Sequence, residues 1–226
     1  MNFEFDNNKV YLCGEIATEP VFSHEIYGEG FYDTVLRVKR LSMQEDMIPI
    51  TISERLINEK NLVVGTSLAL RGQFRSYNKL VDGKSKLMLT VFVREIVPED
   101  ENLNSNVIEL TGYICKEPIY RTTPFKREIC DLLLAVNRAY NKSDYLPCIA
   151  WGRSARFISQ VSIGEKLFIV GRIQSRPYQK KLETGEVETR VAYEVSIGRV
   201  STKQEEDVNK VEHIYQSVPN ALAHEQ

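Results

Sequence analysis

Residues 10–22 read VYLCGEIATEPVF, and residues 108–120 read IELTGYICKEPIY. Both stretches place a glycine, a Glu-Pro pair and several apolar residues at the same positions, 98 residues apart. The same offset pairs residues 36–40 (LRVKR) with residues 134–138 (LAVNR), and further matches follow after a slip of one residue. A repeat held over roughly 90 residues predicts two copies of one structural unit, each long enough to form its own core.

The repeat divides the chain into four parts. We expect an N-terminal domain over residues 1–98, a linker over 99–106, a second domain over 107–201 and a tail over 202–226. The linker is short, polar and acidic, which is typical of a connection between two compact domains. The tail is also polar, and its segment 202–217 has the composition of a short helix.

Short apolar runs predict β-strands in each unit. In the second unit these runs are 107–114, 131–136, 147–151, 167–173 and 190–197. One segment, 154–160, has helical spacing instead, and residues 53–60 correspond to it in the first unit. Three strands, a short helix and two more strands fit a small closed barrel. The expected fold class is therefore all-β, with two tandem five-stranded barrels of the OB-fold, each with a short helix.

The composition argues against several classes of protein. No apolar run approaches the ~18 residues that a membrane span needs, so no membrane association is expected. Residues 1–6 (MNFEFD) lack the basic and apolar parts of a signal peptide, so we expect a cytoplasmic protein. The sequence shows no P-loop, no G-x-S-x-G and no Cys/His metal spacing. We therefore expect no enzyme, no catalytic residue, no metal and no cofactor; a nuclease built on an OB-like barrel is the enzymatic alternative.

Charge is distributed unevenly along the chain. The formal net charge is −2, yet residues 107–201 carry 15 basic and 10 acidic side chains. Residues 9–98 are nearly balanced, with 12 basic and 11 acidic side chains, and the remaining segments are acidic. This asymmetry indicates an anionic partner for the second unit.

Four runs of the second unit resemble a known family. They are 134–138 (LAVNR), 147–152 (PCIAWG), 171–178 (GRIQSRPY) and 193–195 (YEV). Together they resemble the bacterial single-stranded DNA-binding protein family, over residues 107–201, and the first unit shares the framework more weakly. The resemblance implies OB-folds, an absence of catalysis, and a tight grip on single-stranded DNA that tolerates any sequence.

The resemblance also implies a cellular role and partners. It implies sequence-independent binding of single-stranded DNA in replication, recombination or repair. Because that family brings four barrels together, and this chain already has two, we expect a homodimer presenting four OB-folds. Replication proteins are expected partners, although residues 221–226 (ALAHEQ) lack the family's acidic, Phe-ended tip that recruits them. Two alternatives stay open: a replication-restart accessory protein of the same barrel type, and an RNA-binding OB protein.

The fourth strand of the second unit carries a polar stripe. Period two predicts that Arg172, Gln174, Arg176 and Tyr178 all point outward, since Ile173 between them is expected to face the core. Cationic and aromatic side chains on one face suit a single strand, because phosphates need positive charge and bases stack on aromatic rings. The alternative is an ordinary solvated face with an edge tyrosine.

Three aromatic residues of the second unit fall where the family places aromatic residues on its DNA face. They are Tyr140, Tyr145 and Trp151. A single tryptophan is by default a core residue, and the two tyrosines could instead pack the loop between them. The resemblance favours base stacking for all three.

Four basic residues are candidates for phosphate contacts. They are Arg138, Arg153, Lys180 and Lys181. The two lysines lie in the loop that joins the fourth and fifth strands, which is one of the loops that bind ligands in OB-folds.

The first unit keeps the scaffold but changes the candidate residues. Ser42, Met47 and Ser53 stand at the positions of the three aromatic residues. The polar stripe survives as Arg71, Gln73, Arg75 and Tyr77. We expect Tyr77 to correspond to Tyr178, after a slip of one residue. The expected result is a division of labour, in which the second unit grips DNA and the first contributes weakly or supplies an assembly surface.

Overall fold

The computed structural model describes residues 7–81, 83–100, 103–181 and 185–203. The predicted helix within 202–217 therefore falls almost entirely outside the described residues. In the part of the chain that is described, no helix is both long enough and apolar enough to cross a membrane.

The first barrel is built from six strands and one helix. They are β1 (Asn8–Ile16), β2 (Val21–Ile26), β3 (Glu29–Lys39), β4 (Glu45–Ser53), α1 (Glu54–Lys60), β5 (Ser67–Val81) and β6 (Lys84–Val97). Five of the strands close a ring in the order β1-β3-β4-β6-β5, with β5 pairing back to β1. Strand β2 pairs with β3 outside that ring.

The second barrel repeats this arrangement. Its elements are β7 (Asn106–Ile114), β8 (Ile119–Thr122), β9 (Glu128–Arg138), β10 (Lys142–Trp151), α2 (Gly152–Ile158), β11 (Lys166–Lys181) and β12 (Val187–Ser201). The ring runs β7-β9-β10-β12-β11 and closes on β7, with the β10–β12 pair parallel. The predicted all-β fold with two OB-folds is confirmed, and each ring has five strands.

The structure adds one short strand to each unit that the sequence pattern did not predict. Every residue of β2 and of β8 is exposed. A strand with no buried face has no apolar alternation, so the period-two pattern cannot reveal it. Helix α2 also begins at Gly152, two residues before the expected segment, while α1 begins at Glu54.

Alternating side chains of the ring strands fill each barrel. In the first barrel the fully buried residues include Leu12, Ile50, Leu70 and Phe74. In the second barrel they include Ile108, Leu134, Leu167, Ile173 and Val195. These are the inward positions that the period of two predicted, and their burial provides the main driving force for closing each ring.

Two equivalent glycines allow each barrel to bend. Strand β11 shifts register against β12 between Val170 and Gly171, and a Cβ on Gly171 would lie 2.3 Å from the backbone oxygen of Ser196. In the first barrel a Cβ on Gly72 would lie 2.4 Å from the backbone oxygen of Phe92. The backbones approach so closely at these bulges that no other residue fits, which explains why this glycine occurs in both copies of the repeat.

Strands β1 and β7 join the two barrels into one sheet of twelve strands. They pair antiparallel, and Val10 lies opposite Ile108. These two residues are also equivalent positions of the repeat, 98 residues apart. The barrels are therefore related by a local two-fold axis that passes through this pair, as in an isologous dimer interface.

In each barrel an asparagine side chain completes the backbone hydrogen bonding at the point where the first strand turns toward the other barrel. The Asn8 amide donates to the backbone oxygen of Phe74 at 2.7 Å, and the backbone N–H of Phe74 donates to Asn8 Oδ1 at 2.9 Å. Asn106 makes the same pair of bonds with Ile173, at 2.6 and 2.9 Å. Each side chain thus replaces a backbone partner that the neighbouring strand has lost.

A buried aspartate spans the contact between the barrels on each side of the axis. Asp46 accepts the backbone N–H of Ser175 at 2.7 Å, and Asp144 accepts that of Ser76 at 2.7 Å. Both carboxylates are completely buried. Since each bond crosses from one barrel to the other, these two aspartates fix how the barrels sit against each other.

We predict that Asn106→Ala destabilises the protein by about 1–3 kcal/mol, because the buried N–H and C=O of Ile173 lose their partners. Urea unfolding measures the change. Asn78→Ala is the matched control, since Asn78 is exposed on β5, and it should leave the unfolding midpoint in place. Equal effects of the two substitutions would contradict the role assigned to Asn106.

Candidate nucleic-acid interface

The outward stripe on β11 is only partly exposed. Arg176 is half-exposed and Tyr178 is 38% exposed, as the period of two predicted. Gln174, however, is only 6% exposed, and its amide donates to Glu194 Oε1 at 2.7 Å. The prediction that Gln174 reaches solvent is wrong, because Glu194 lies directly opposite it on β12 and takes its amide.

Glu194 also orders the arginines of the stripe. Arg176 Nε donates to the same carboxylate oxygen at 3.2 Å, and Arg172 Nη2 donates to Gln174 Oε1 at 3.4 Å. Glu194 itself is buried. Two guanidinium groups are therefore held along β11 by a buried acid and an amide, and half of the Arg176 side chain still reaches solvent.

The three tyrosines predicted to stack on bases, Tyr140, Tyr145 and Tyr178, all present their rings to solvent. Tyr140 is 94% exposed in the turn between β9 and β10, where it adopts a left-handed φ of 60°. Tyr145 on β10 is 47% exposed, and Tyr178 on β11 completes the set. The loop-packing alternative does not hold for Tyr140, because an almost fully exposed ring packs against nothing.

Trp151 is neither a core residue nor a fully exposed one. It ends β10 opposite Ile129, and its side chain is partly buried. Its indole Nε1 is buried and has no hydrogen-bond partner among the described residues. The ring thus packs at the edge of the core and leaves part of itself at the surface, which is compatible with stacking on a base.

The basic candidates occupy different environments. The prediction that Lys180 and Lys181 lie in a loop is wrong, because they are the last two residues of β11 and pair with Glu188 and Val187 of β12. Both lysines are exposed near the tip of this hairpin, the β11–β12 arm, and Arg153 is exposed on α2. Arg138 is mostly buried and donates to Asp144 at 3.2 Å. The lysines and Arg153 are open to solvent, whereas Arg138 also supports the contact between the barrels.

The structural correspondence between the barrels differs from the predicted one at one aromatic residue. Ser76 and Ser175 are equivalent, since each bonds to the aspartate of the opposite barrel. Tyr77 then corresponds to Arg176, and Tyr178 corresponds to Lys79. The predicted match of Tyr77 with Tyr178 is therefore wrong, although Tyr77 is exposed on β5.

In the first barrel the predicted Arg75 is joined by Phe92 and Arg94, two residues that the sequence comparison missed. The guanidinium carbons of Arg75 and Arg94 lie 5.8 and 5.5 Å from the centre of the Phe92 ring. Gln73 Oε1 accepts hydrogen bonds from both arginines. Cation–π contacts of this length hold the two side chains over the ring. Arg71, by contrast, is exposed and lies 3.9 Å from Glu95.

The electrostatics of Arg75 reflect its place between the barrels. Burial and the neighbouring Arg138 lower the pKa of Arg75 to about 10, against the opposing effect of Asp144. Arg75 therefore stays charged at neutral pH. Its Nε is buried and has no hydrogen-bond partner in the described part of the chain.

The aromatic residues of the first barrel lie on different strands from those of the second barrel. Phe31 lies opposite Ser53, where the second barrel has Ile129 opposite Trp151. Phe92 contacts Phe31, with 5.4 Å between ring centres. The first barrel thus keeps rings in this region on β3 and β6, but Phe31 is buried and Phe92 is only partly exposed, so neither replaces the exposed tyrosines of the second barrel.

The cysteines and possible metal ligands show no reactive arrangement. Burial raises the pKa of Cys130 to about 11 and shifts the pKa of Cys148 upward as well, so both thiols stay protonated at neutral pH. Within the described ranges, no three His, Cys, Asp or Glu side chains lie close enough together to hold a metal ion.

Comparison with known proteins identifies the family. The sequence pattern described as "Single-strand binding protein family" matches residues 105–210. Single-stranded DNA-binding protein 2 of Clostridium acetobutylicum is 32% identical over 92 residues, which are 38% of this chain and 69% of that protein. The chain belongs to the single-strand binding protein family. The resemblance predicted from the sequence is confirmed, and the family match covers the second barrel.

Other relatives in this family are similar over different lengths. Single-stranded DNA-binding protein 1 of Staphylococcus aureus is 32% identical over 83 residues, which are 34% of this chain and 50% of that protein. The chain thus spans about half the length of several curated relatives it matches. The solved wild-type single-stranded DNA-binding protein of Thermus aquaticus has the same fold over 89% of this chain and 95% of its own, with a TM-score of 0.65 and 22% identity. A solved dimeric N-terminal domain of PriB from Thermoanaerobacter tencongensis is 49% identical over 41% of this chain and 98% of its own, with a TM-score of 0.35.

Proposed function

We propose that this protein binds single-stranded DNA without sequence preference, mainly through its second barrel. The observation that carries the proposal is the exposed set of tyrosines on β10, β11 and the β9–β10 turn, beside Arg176 and the lysines of the β11–β12 arm. Exposed rings stack on any base, and cations follow the phosphates, so the pair of features binds a single strand of any sequence. Membership in the single-strand binding protein family supports the same conclusion.

The proposed role is that of a non-enzymatic binding protein in the cytoplasm, acting on single strands during replication, recombination or repair. Its chemistry is stacking and charge neutralisation, and neither process makes or breaks a covalent bond. The partial exposure of Trp151 adds a natural optical reporter at this face.

The direct test is competition between DNA and RNA for the intact chain. A fluorescently labelled oligo-dT of about 30 nucleotides should bind, and unlabelled oligo-dT should displace it better than oligo-U at one stated salt concentration. Displacement by oligo-U at lower concentration than oligo-dT would favour the RNA-binding alternative. An absence of binding to either oligonucleotide would contradict the proposed function.

We predict that Tyr178→Ala weakens binding to oligo-dT by about 1–3 kcal/mol, the typical value for one stacked base. Tyr113→Ala is the control, because Tyr113 is a partly exposed tyrosine of the same barrel that lies opposite Lys166, at the far end of β11. Trp151 fluorescence should also be quenched on adding oligo-dT. Equal losses for both tyrosine variants, together with unchanged fluorescence, would remove the stacking assignment.

We also propose that two chains assemble into a homodimer with four barrels. Because β1 and β7 already pair within one chain, a second copy must use another surface. The outer strands β2 and β8 offer one, since Phe22 and Ile119 are more than half exposed there. Light scattering at micromolar concentration should give twice the chain mass of 26.0 kDa. A mass of one chain, unchanged by oligo-dT, would show a monomer.

A further inference from the structure

The two barrels contact each other on both sides of the local two-fold axis, through Asp46 on one side and Asp144 on the other. The backbone hydrogen bonds of the two contacts are equivalent, but the charged side chains around them differ. On one side Arg40 grips Asp46 with two bonds, Nε to Oδ2 at 2.7 Å and Nη2 to Oδ1 at 2.6 Å. Gln174 lies next to Ser175 on this side and bonds to Glu194. The acid and the base on this side neutralise each other in a bidentate pair.

On the other side, around Asp144, the positive and negative charges are not balanced in this way. Arg138 reaches Asp144 through a single bond of 3.2 Å, and Asp144 Oδ2 is buried without a hydrogen-bond partner among the described residues. The position of Gln174 is taken here by Arg75. A second cation therefore stands where the first side has a neutral amide.

A third guanidinium joins this group from β6. Arg94 shares the Phe92 ring and the Gln73 oxygen with Arg75, and Arg138 of the second barrel is the charged residue with the largest effect on the pKa of Arg75. Asp144 acts on Arg75 and pairs with Arg138 at 3.2 Å. At the junction of the two barrels, Arg75 and Arg138 thus share one carboxylate, and Arg94 adds a third positive charge that is joined to Arg75 through Phe92 and Gln73.

We propose that Arg75, Arg94 and Arg138 form a phosphate-binding site at this junction, through which a bound single strand continues from the second barrel onto the first. Guanidinium groups match phosphate oxygens with paired N–H donors, and an anion there relieves the repulsion among the three cations. The inference rests on the proposed function, since the anion is the phosphate of a single strand.

The surroundings of the site give the strand a continuous path. The backbone N–H of Tyr145 donates to Ser76 Oγ at 2.7 Å, so β10 of the second barrel lies beside β5 of the first. Tyr145 and Tyr77, the residue after Ser76, are both exposed at this crossing. Stacking positions therefore lie on both barrels next to the arginines, and the first barrel takes part in binding.

Arg94→Ala tests the site, because Arg94 is exposed and its removal leaves the core intact. Loss of one phosphate contact should lower the slope of log K against log salt by roughly 0.7 for an oligo-dT of about 30 nucleotides. Affinity at low salt should fall by about 10-fold, because a charge-assisted hydrogen bond is lost. Arg94→Lys should keep the slope of the unmodified protein, since the charge remains.

The control is Arg55→Ala, which removes an exposed arginine of α1 that pairs with Glu59 at 2.9 Å and belongs neither to the cluster nor to the polar stripe. It should leave the salt slope and the affinity close to those of the unmodified protein. An unchanged slope for Arg94→Ala, in a protein whose binding Tyr178→Ala still weakens, would overturn the junction site and leave the proposed function standing. Equal slope losses in the two arginine variants would also overturn it, as a general surface-charge effect. If the unmodified protein fails to bind oligo-dT, both proposals fall.

Discussion

The antiparallel pairing of β1 with β7 is the constraint on which the rest of the structure depends. It places equivalent residues, Val10 and Ile108, opposite each other and so imposes a two-fold relation on the barrels. The first strand of each barrel pairs with the other barrel at its N-terminal end. The side chains of Asn8 and Asn106 therefore supply hydrogen-bond partners to the backbone of Phe74 and Ile173. The same relation brings each buried aspartate to the fourth ring strand of the other barrel, so one strand pair determines the contacts on both sides of the axis.

Symmetry of the backbone does not extend to the surface. The second barrel carries exposed tyrosines and two exposed lysines at the end of β11, which suit a flexible polyanion with unstacked bases. The first barrel keeps rings on different strands and gathers Arg75 and Arg94 over Phe92. Because both barrels meet at the junction, Arg138 of the second comes close to Arg75 of the first. The two barrels therefore share one backbone scaffold but present different side chains to solvent, and these two surfaces meet at the junction.

Most of the fold could be predicted from the sequence, because its signals are local. The repeat shows up as identical spacing, and ring strands alternate since one face of each is buried. Arg176 is exposed as the period of two predicted, and Tyr140 and Tyr145, which the family resemblance favoured as stacking residues, are exposed as well. Strands β2 and β8 were not predicted, because a strand with no buried face shows no alternation of apolar and polar residues.

What the sequence determined by itself was the all-β class, the two copies of the barrel and the second barrel as the more cationic one. Only the tertiary structure decided which polar residues are free to meet a ligand. Gln174 is taken by Glu194 across the strand pair, and Arg94 joins Arg75 through Phe92. Asp144 is drawn into the junction by Ser76 of the other barrel. The physical reason is that these partners are determined by strand pairing between residues far apart in the chain. The alternation of residues within one strand shows which face a side chain lies on, but not which residue of another strand lies beside it.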